Sequence, residues 1–302
     1  MDASAVFSRQ DSNFVSQGIK CAGWFYLPAA KQNPPVIIMA HGFAGERSFG
    51  LPAFAERFAA EGMAVFLFDY RTFGDSDGEP RNKVDPFAHG EDWDAAIAHV
   101  RTLEGVDTKR IALWGTSFSG AHVVCAAARD GNIAATISQV PFSGMPEGAP
   151  KPPLGTLLRM GAMMVFDRIK TALTGKPLYM PVVGPPGSAA ALNTPECEPG
   201  YFAIIPEGET FANQVPMSSL GFMMKYSPLE AAGRVMCPAL VVAGRDDSLI
   251  PVSQPELMAS KMPRGEFQVL DCDHFAPYRG EWFEKNIVLQ LEFLKRTLPE
   301  LS

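Results

Sequence analysis

The sequence holds no Cys-x-x-Cys pair and no cluster of cysteine or histidine at metal-ligand spacing. Its five cysteines, Cys21, Cys125, Cys197, Cys237 and Cys272, are scattered and odd in number. That pattern excludes a disulfide framework and a thiolate zinc site, and reads as reduced thiols in a cytoplasmic protein. No apolar run approaches the ~18 residues of a membrane-spanning helix. The opening Met1-Asp2-Ala3-Ser4 lacks the basic and apolar regions of a secretory signal. Positive charge is also short: 26 Lys and Arg stand against 33 Asp and Glu, a net charge of −7. Nucleic acid and anionic membrane surfaces are therefore not expected as partners, since both attract basic patches. Gly42 and Gly45 sit in one turn but lack the rest of a nucleotide-binding glycine loop. Neither a cofactor nor a metal is expected, and the sequence leaves open whether the protein is a homo-oligomer.

What is present is the composition of an ordinary globular chain, 47% hydrophobic and 20% charged over 302 residues. That length suits one α/β domain with an insertion. Two strand-like stretches, Val6 to Val15 and Ile19 to Leu27, read as an antiparallel pair. Continuous apolar runs then recur at 36–40, 64–68, 111–114, 134–140, 239–244 and 267–270, typical of strands buried on both faces. Helical spacing lies between them at 51–61, 91–103, 120–128 and 254–261, and a closing helix spans 281–298 with Phe283, Ile287, Leu291 and Leu294 on one stripe. The alternation predicts a doubly wound, mostly parallel sheet with antiparallel N-terminal strands.

The alternation stops between 141 and 235, where prolines cluster and eight of fourteen methionines fall. This stretch reads as an inserted cap of helices and loops, with an amphipathic segment over 154–173. The expected division is a first core part over 1–144, a cap over 145–235 and a second core part over 236–302. Methionine adapts to variable apolar groups, so Met160, Met164 and Met223 are expected to line a substrate pocket.

The stretch Ile111 to Gly120 (IALWGTSFSG) puts Ser117 at a sharp strand-to-helix turn, with small residues two positions before it (Gly115) and after it (Ser119). Such an elbow exposes a nucleophilic serine above a sheet. Taken alone the pattern is weak, because Gly and Ser are common enough for it to arise by chance about once in two or three such chains. The remaining parts must come in order. A general base is expected beyond the last strand, where His274 follows Leu270 by four residues. His41 is expected instead to shape its own loop. The acid belongs after the preceding strand, in Arg245-Asp246-Asp247-Ser248. Asp247 is preferred, Asp246 being assigned to the turn, with Glu147 a remote third. Oxyanion donors are expected to be the backbone N–H groups of Phe43 and Phe118, each such donor contributing ~3–4 kcal/mol to transition-state stabilisation.

Together His41-Gly42-Phe43, the loop Asp69 to Gly78, Gly115 to Gly120, Asp247 to Pro251 and His274-Phe275 resemble the α/β-hydrolase superfamily. Within it the chain resembles the dienelactone-hydrolase and Xaa-Pro dipeptidyl-peptidase-like group, which includes polyketide-transferase-type thioesterases. The resemblance covers about 30–145 and 235–297. It implies a serine hydrolase acting on a small-molecule ester or thioester, and the Pro- and Met-rich cap suggests a pocket for an apolar acyl group. Amidase, peptidase and acyltransferase chemistry use the same residues, and a non-catalytic binding protein on this fold is a third class.

Overall fold

Apolar runs flanked by turn residues are extended here, and they lie side by side in one sheet. The computed structural model describes residues 6–144, 154–223 and 225–298, the side chains of 154–160 and 223 excepted. The strands are β1 (Phe7–Asp11), β2 (Gly23–Pro28), β3 (Pro35–Ala40), β4 (Ala64–Phe68), β5 (Asp107–Thr116), β6 (Ala135–Gln139), β7 (Ala239–Gly244) and β8 (Gly265–Leu270). They are ordered β1-β2-β4-β3-β5-β6-β7-β8. β1 with β2 and β2 with β4 pair antiparallel, whereas every pairing from β4 to β8 is parallel. The expected doubly wound sheet is thus present.

Because side chains alternate across a strand, each central strand feeds two cores. On one face Val36, Ile38, Phe66, Phe68 and Leu113 meet Trp93 and Ile97 of α2 (Pro86–Val100) and Val123 of α3 (Phe118–Asp130). On the other, Ile37, Met39, Val65, Leu67 and Trp114 meet Phe54 and Phe58 of α1 (Leu51–Ala60). Phe283, Ile287 and Leu294 of the closing helix (Gly280–Thr297) complete that second core. Each large side chain so buried contributes roughly 1.5–3 kcal/mol.

Two expectations need correction. The helix expected over 91–103 begins at Pro86 and ends at Val100. Asp85 caps it by accepting from the N–H groups of Phe87 and Ala88 (3.2 and 3.4 Å). Pro86 occupies the first turn, where no N–H is needed. The N-terminal pair is broken rather than continuous. β1 pairs with β2, and a separate ribbon joins Phe14–Ser16 to Ile19–Cys21. At the break the Asn13 side chain accepts from Gly23 N (3.3 Å), and a side chain at Gly23 would sit 2.6 Å from Ser12 O.

Between β6 and β7 the described chain forms a long helix, Leu154–Thr174, short helices at Cys197–Phe202, Ser218–Met223 and Leu229–Ala232, and connecting loops. Val165, Phe166, Ile169 and Leu173 of the long helix are exposed. No helix among the described residues is long and apolar enough to cross a membrane.

Candidate active site

The parallel strands all end at the same edge, so their following loops converge. β5 ends at Thr116, and the chain turns into α3 through Ser117 at φ 53°, ψ −118°. A non-glycine residue with positive φ is strained and needs support from its surroundings. Ser117 N donates to Gln139 O (2.8 Å), and Ser117 O accepts from Gly120 N (3.0 Å) and Phe142 N (2.9 Å). The turn is so tight that a Cβ on Gly115 would lie 2.2 Å from Ser119 O. Ser119 stands where the usual motif has Gly, and the structure gives its hydroxyl a partner. Its Oγ lies 2.7 Å from Tyr70 Oη, which also accepts from Trp93 Nε1 (2.9 Å). A buried hydroxyl with a hydrogen bond avoids most of the desolvation cost.

His274 lies on the loop after β8, and its Nε2 is 3.0 Å from Ser117 Oγ. Its Nδ1 is 2.7 Å from Asp247 Oδ2, on the loop after β7. Asp247 Oδ1 accepts in addition from Leu249 N (2.9 Å) and Ile250 N (2.7 Å). A carboxylate accepts and an N–H donates, so Nδ1 donates to Asp247 and Nε2 is the ring nitrogen that faces Ser117. The neighbouring Asp246 is exposed, its N–H bonded to Cys272 O (3.1 Å). Glu147 lies outside the described residues.

The loop after β3 runs beside this chain: a Cβ on Gly42 would sit 3.0 Å from Ser117 Cβ. The carbonyl of the Gly42–Phe43 peptide is held by His41 Nδ1 (3.0 Å) and Gly45 N (3.4 Å). In a trans peptide the N–H points opposite its C=O, so the Phe43 N–H faces away from those partners. His41 therefore shapes its loop, as expected. Burial pushes its imidazolium down to about 4, against the help of the Gly42 carbonyl, so it is neutral at pH 7. The loop is anchored further along by Arg47, whose N–H and guanidinium both bond the buried Asp69 carboxylate at the end of β4. The Arg47 guanidinium also lies 4.2 Å over the Trp24 ring.

Several residues at the site carried no signal in the sequence pattern. Tyr201 donates from its hydroxyl to Phe43 O (3.0 Å). A Cβ on Gly200 would lie 2.4 Å from the Phe275 ring, and Glu196 Oε1 accepts from Ser248 N (3.0 Å). One short stretch, 196–201, thus touches the loops bearing Phe43, Asp247 and His274. Beneath the elbow, Gln139 Oε1 accepts from Asn286 Nδ2 (2.6 Å) and Gln290 Nε2 (3.0 Å). Gln290 Oε1 in turn accepts from Trp114 Nε1 (2.7 Å). Asn286 and Gln290 stand four apart on the buried side of the closing helix, an interruption of its apolar stripe that could have flagged them.

The cavity over Ser117 is lined by Gly42, Phe43, Leu192, Tyr201, Ile204 and His274 among others, and among the described residues no methionine lines it. Met164 belongs elsewhere: it lines a separate groove with Ser218 and Phe222 and packs against Gly221. Met164, expected in a substrate pocket, is not among the residues lining the cavity over Ser117. The side chains of Met160 and Met223 lie outside the described residues.

A model of the Alpha/beta hydrolase family matches residues 37–285. Quorum-quenching protein AidA of Acinetobacter baumannii is 40% identical over 290 residues, 96% of this chain and 95% of that one. Thiohydrolase aneE of Aspergillus aculeatus is 29% identical over 301 residues, 93% of this chain and 91% of that one. Among solved structures, the alpha/beta hydrolase GrgF from Penicillium sp. sh18 superposes with a TM-score of 0.82 at 27% identity, over 97% of this chain and all 100% of that one. Matched by the family over most of its length and by a relative from end to end, the chain belongs to the alpha/beta hydrolase family.

Proposed function

We propose that this alpha/beta hydrolase is a serine hydrolase cleaving carboxylic esters or thioesters through an acyl-enzyme. The observation that carries the reading is the unbroken chain Asp247–His274–Ser117, at 2.7 and 3.0 Å, on a strained elbow. Ser117 Oγ attacks the acyl carbon as its proton passes to His274 Nε2. Asp247 keeps the imidazole in the Nδ1–H tautomer and stabilises the imidazolium. The carbonyl electron pair moves to oxygen, where the Phe43 and Phe118 N–H groups receive the oxyanion. The intermediate collapses as the leaving alkoxide or thiolate takes the proton from Nε2. Water, deprotonated by the same nitrogen, then releases the acid and restores Ser117.

The held Gly42 carbonyl supports Phe43 as one donor. The position of Phe118 at the first turn of α3 supports the other, because the first N–H groups of a helix have no intrahelical partner. The choice of thioester beside ester is supported by the relative named a thiohydrolase. Residues 145–235 act in this reading as a cap, supported by the presence of Leu192, Tyr201 and Ile204 over Ser117. The substrate is a small molecule and needs no cofactor.

The test is labelling with a fluorophosphonate, read by peptide mass, beside rates on p-nitrophenyl esters, acyl thioesters and aminoacyl amides. Label on Ser117 and turnover of the first two classes are expected. A folded protein left unlabelled at Ser117 sinks the reading.

A further inference from the structure

The cavity directly over Ser117 holds about 30 Å³, room for about two water molecules. Pockets that hold small organic ligands run to roughly 300–1,000 Å³. The space at Ser117 therefore takes the reacting carbonyl and little else. Two of its wall residues, Ile204 and Tyr278, are also walls of a second space, an outer groove of about 310 Å³. Pro52 and Ala53 of α1 line one side of that groove, and Ile205 and Pro206 line the other. Its surface is largely apolar carbon, so it suits an aliphatic chain and offers little to a charged group.

The two walls differ. Tyr278 is buried and pinned, its hydroxyl 2.5 Å from Thr116 Oγ1 and its ring edge-on to Phe54. Ile204 is half-buried, follows the helix Cys197–Phe202, and has a side chain with no polar atom to tether it. Gly50 sits at the seam: a Cβ there would lie 3.2 Å from the Tyr278 ring and 3.5 Å from Ile204 Cβ. Ile204 thus stands between the two spaces, with a side chain that only packing holds in place.

We propose that the groove between α1 and residues 203–206 receives the aliphatic chain of the ester, with Ile204 as the gate between that chain and Ser117. The proposal rests on the assignment of Ser117 given above. Each methylene that enters the groove should raise kcat/KM about fourfold (~0.8 kcal/mol each) until the groove is full.

The test uses p-nitrophenyl esters from acetyl to decanoyl, and alkyl acetates from methyl to octyl, with wild type, Ile204→Ala, Ile204→Trp and Ala53→Phe. Ala53 is exposed on α1, away from the reacting atoms. Expected is a rise with chain length in one series, which names the acyl or the alcohol side as occupant. The ratio of long-chain to short-chain kcat/KM should rise severalfold in Ile204→Ala and fall at least tenfold in Ile204→Trp and Ala53→Phe. Binding of p-nitrophenyl octanoate and acetate to Ser117→Ala protein, with and without Ala53→Phe, gives the same comparison without turnover. Equal affinity for the two esters, or a long-to-short ratio unmoved by Ala53→Phe, overturns the groove while leaving Ser117 standing. A failure of Ser117 itself appears instead as absent fluorophosphonate label, with the binding comparison still readable.

Discussion

Replacing Asp247 by Asn tests the proposed proton path at a single atom. The N–H groups of Leu249 and Ile250 converge on Oδ1 at 2.9 and 2.7 Å. An amide in that place keeps its carbonyl oxygen on their side. The opposite orientation sets an NH₂ against two buried donors, at roughly 1–3 kcal/mol for each donor left unpaired. The NH₂ therefore takes the place of Oδ2, 2.7 Å from His274 Nδ1. Facing a donor, the imidazole moves its own proton to Nε2, 3.0 Å from Ser117 Oγ. It can then no longer accept the serine proton. In a serine-protease triad the wrong tautomer with intact geometry costs about 10⁴ in kcat, or ~5 kcal/mol. The same order is expected here. Stability should change by less than ~1 kcal/mol, since volume and both backbone bonds persist. The assay is steady-state kcat on p-nitrophenyl butyrate, with urea midpoints on the same preparations. An Asp247→Asn enzyme within tenfold of wild type refutes the tautomer reasoning, whereas Asp246→Asn, at an exposed position, should stay within about twofold.

Three further outcomes follow from the same geometry. Gly115→Ala drives a Cβ to 2.2 Å from a backbone oxygen of the elbow, so a loss of at least ~3 kcal/mol in denaturant stability is expected, and a wild-type midpoint would contradict the close approach. Tyr201→Phe removes one hydrogen bond from the Phe43 carbonyl. At ~0.5–1.5 kcal/mol, kcat should fall about two- to tenfold with KM unchanged, and an unaltered kcat would show that the hydroxyl does not steady the donor loop. Burial, reinforced by the positive charge of Arg129, pushes the His122 imidazolium down to about 3. The unfolded chain accepts that proton near 6.5, so the stability contributed by neutral His122 is complete above pH 6.5 and is lost as pH falls toward 3. The slope is up to ~1.4 kcal/mol per pH unit. His122→Asn should flatten the dependence between pH 7 and 5 in urea titrations, and parallel curves for the two proteins would rule the mechanism out. Glu46, raised to about 7 mainly by burial, works in the opposite sense in both proteins and cancels in the comparison.

How much was legible beforehand varies with the range of the interaction. Runs such as Val36–Ala40 and Ala239–Gly244 announce buried strands because both faces of a parallel sheet are covered, which is a local compositional demand. The start of α2 lies five residues before the helical spacing at 91–103, where Asp85 followed by a first-turn proline is the helix-start signal. The smallness of Ser119 is a local requirement of the elbow, but the partner of its hydroxyl, Tyr70, lies 49 residues away. Adaptability says what a methionine tolerates, not which cavity it faces, and Met164 faces Gly221.

Chain order, apolar periodicity and the tight Gly-x-Ser-x-Ser turn were enough to name the fold class and to nominate Ser117, Asp247, His274, Phe43 and Phe118. Those are consequences of short-range physics: strand burial, turn sterics, and loops that must follow strands. The rest came from contacts between distant segments. That Tyr201 bonds Phe43 across 158 positions, that Asn286 and Gln290 reach Gln139 under the elbow, and that Ile204 leaves about 30 Å³ over Ser117 depend on how the 141–235 segment and the closing helix pack. Hydrogen bonds and cavity walls of that kind need only proximity in space, so the chain does not mark both partners: Asn286 and Gln290 interrupt an apolar stripe, but nothing in the spacing points to Gln139.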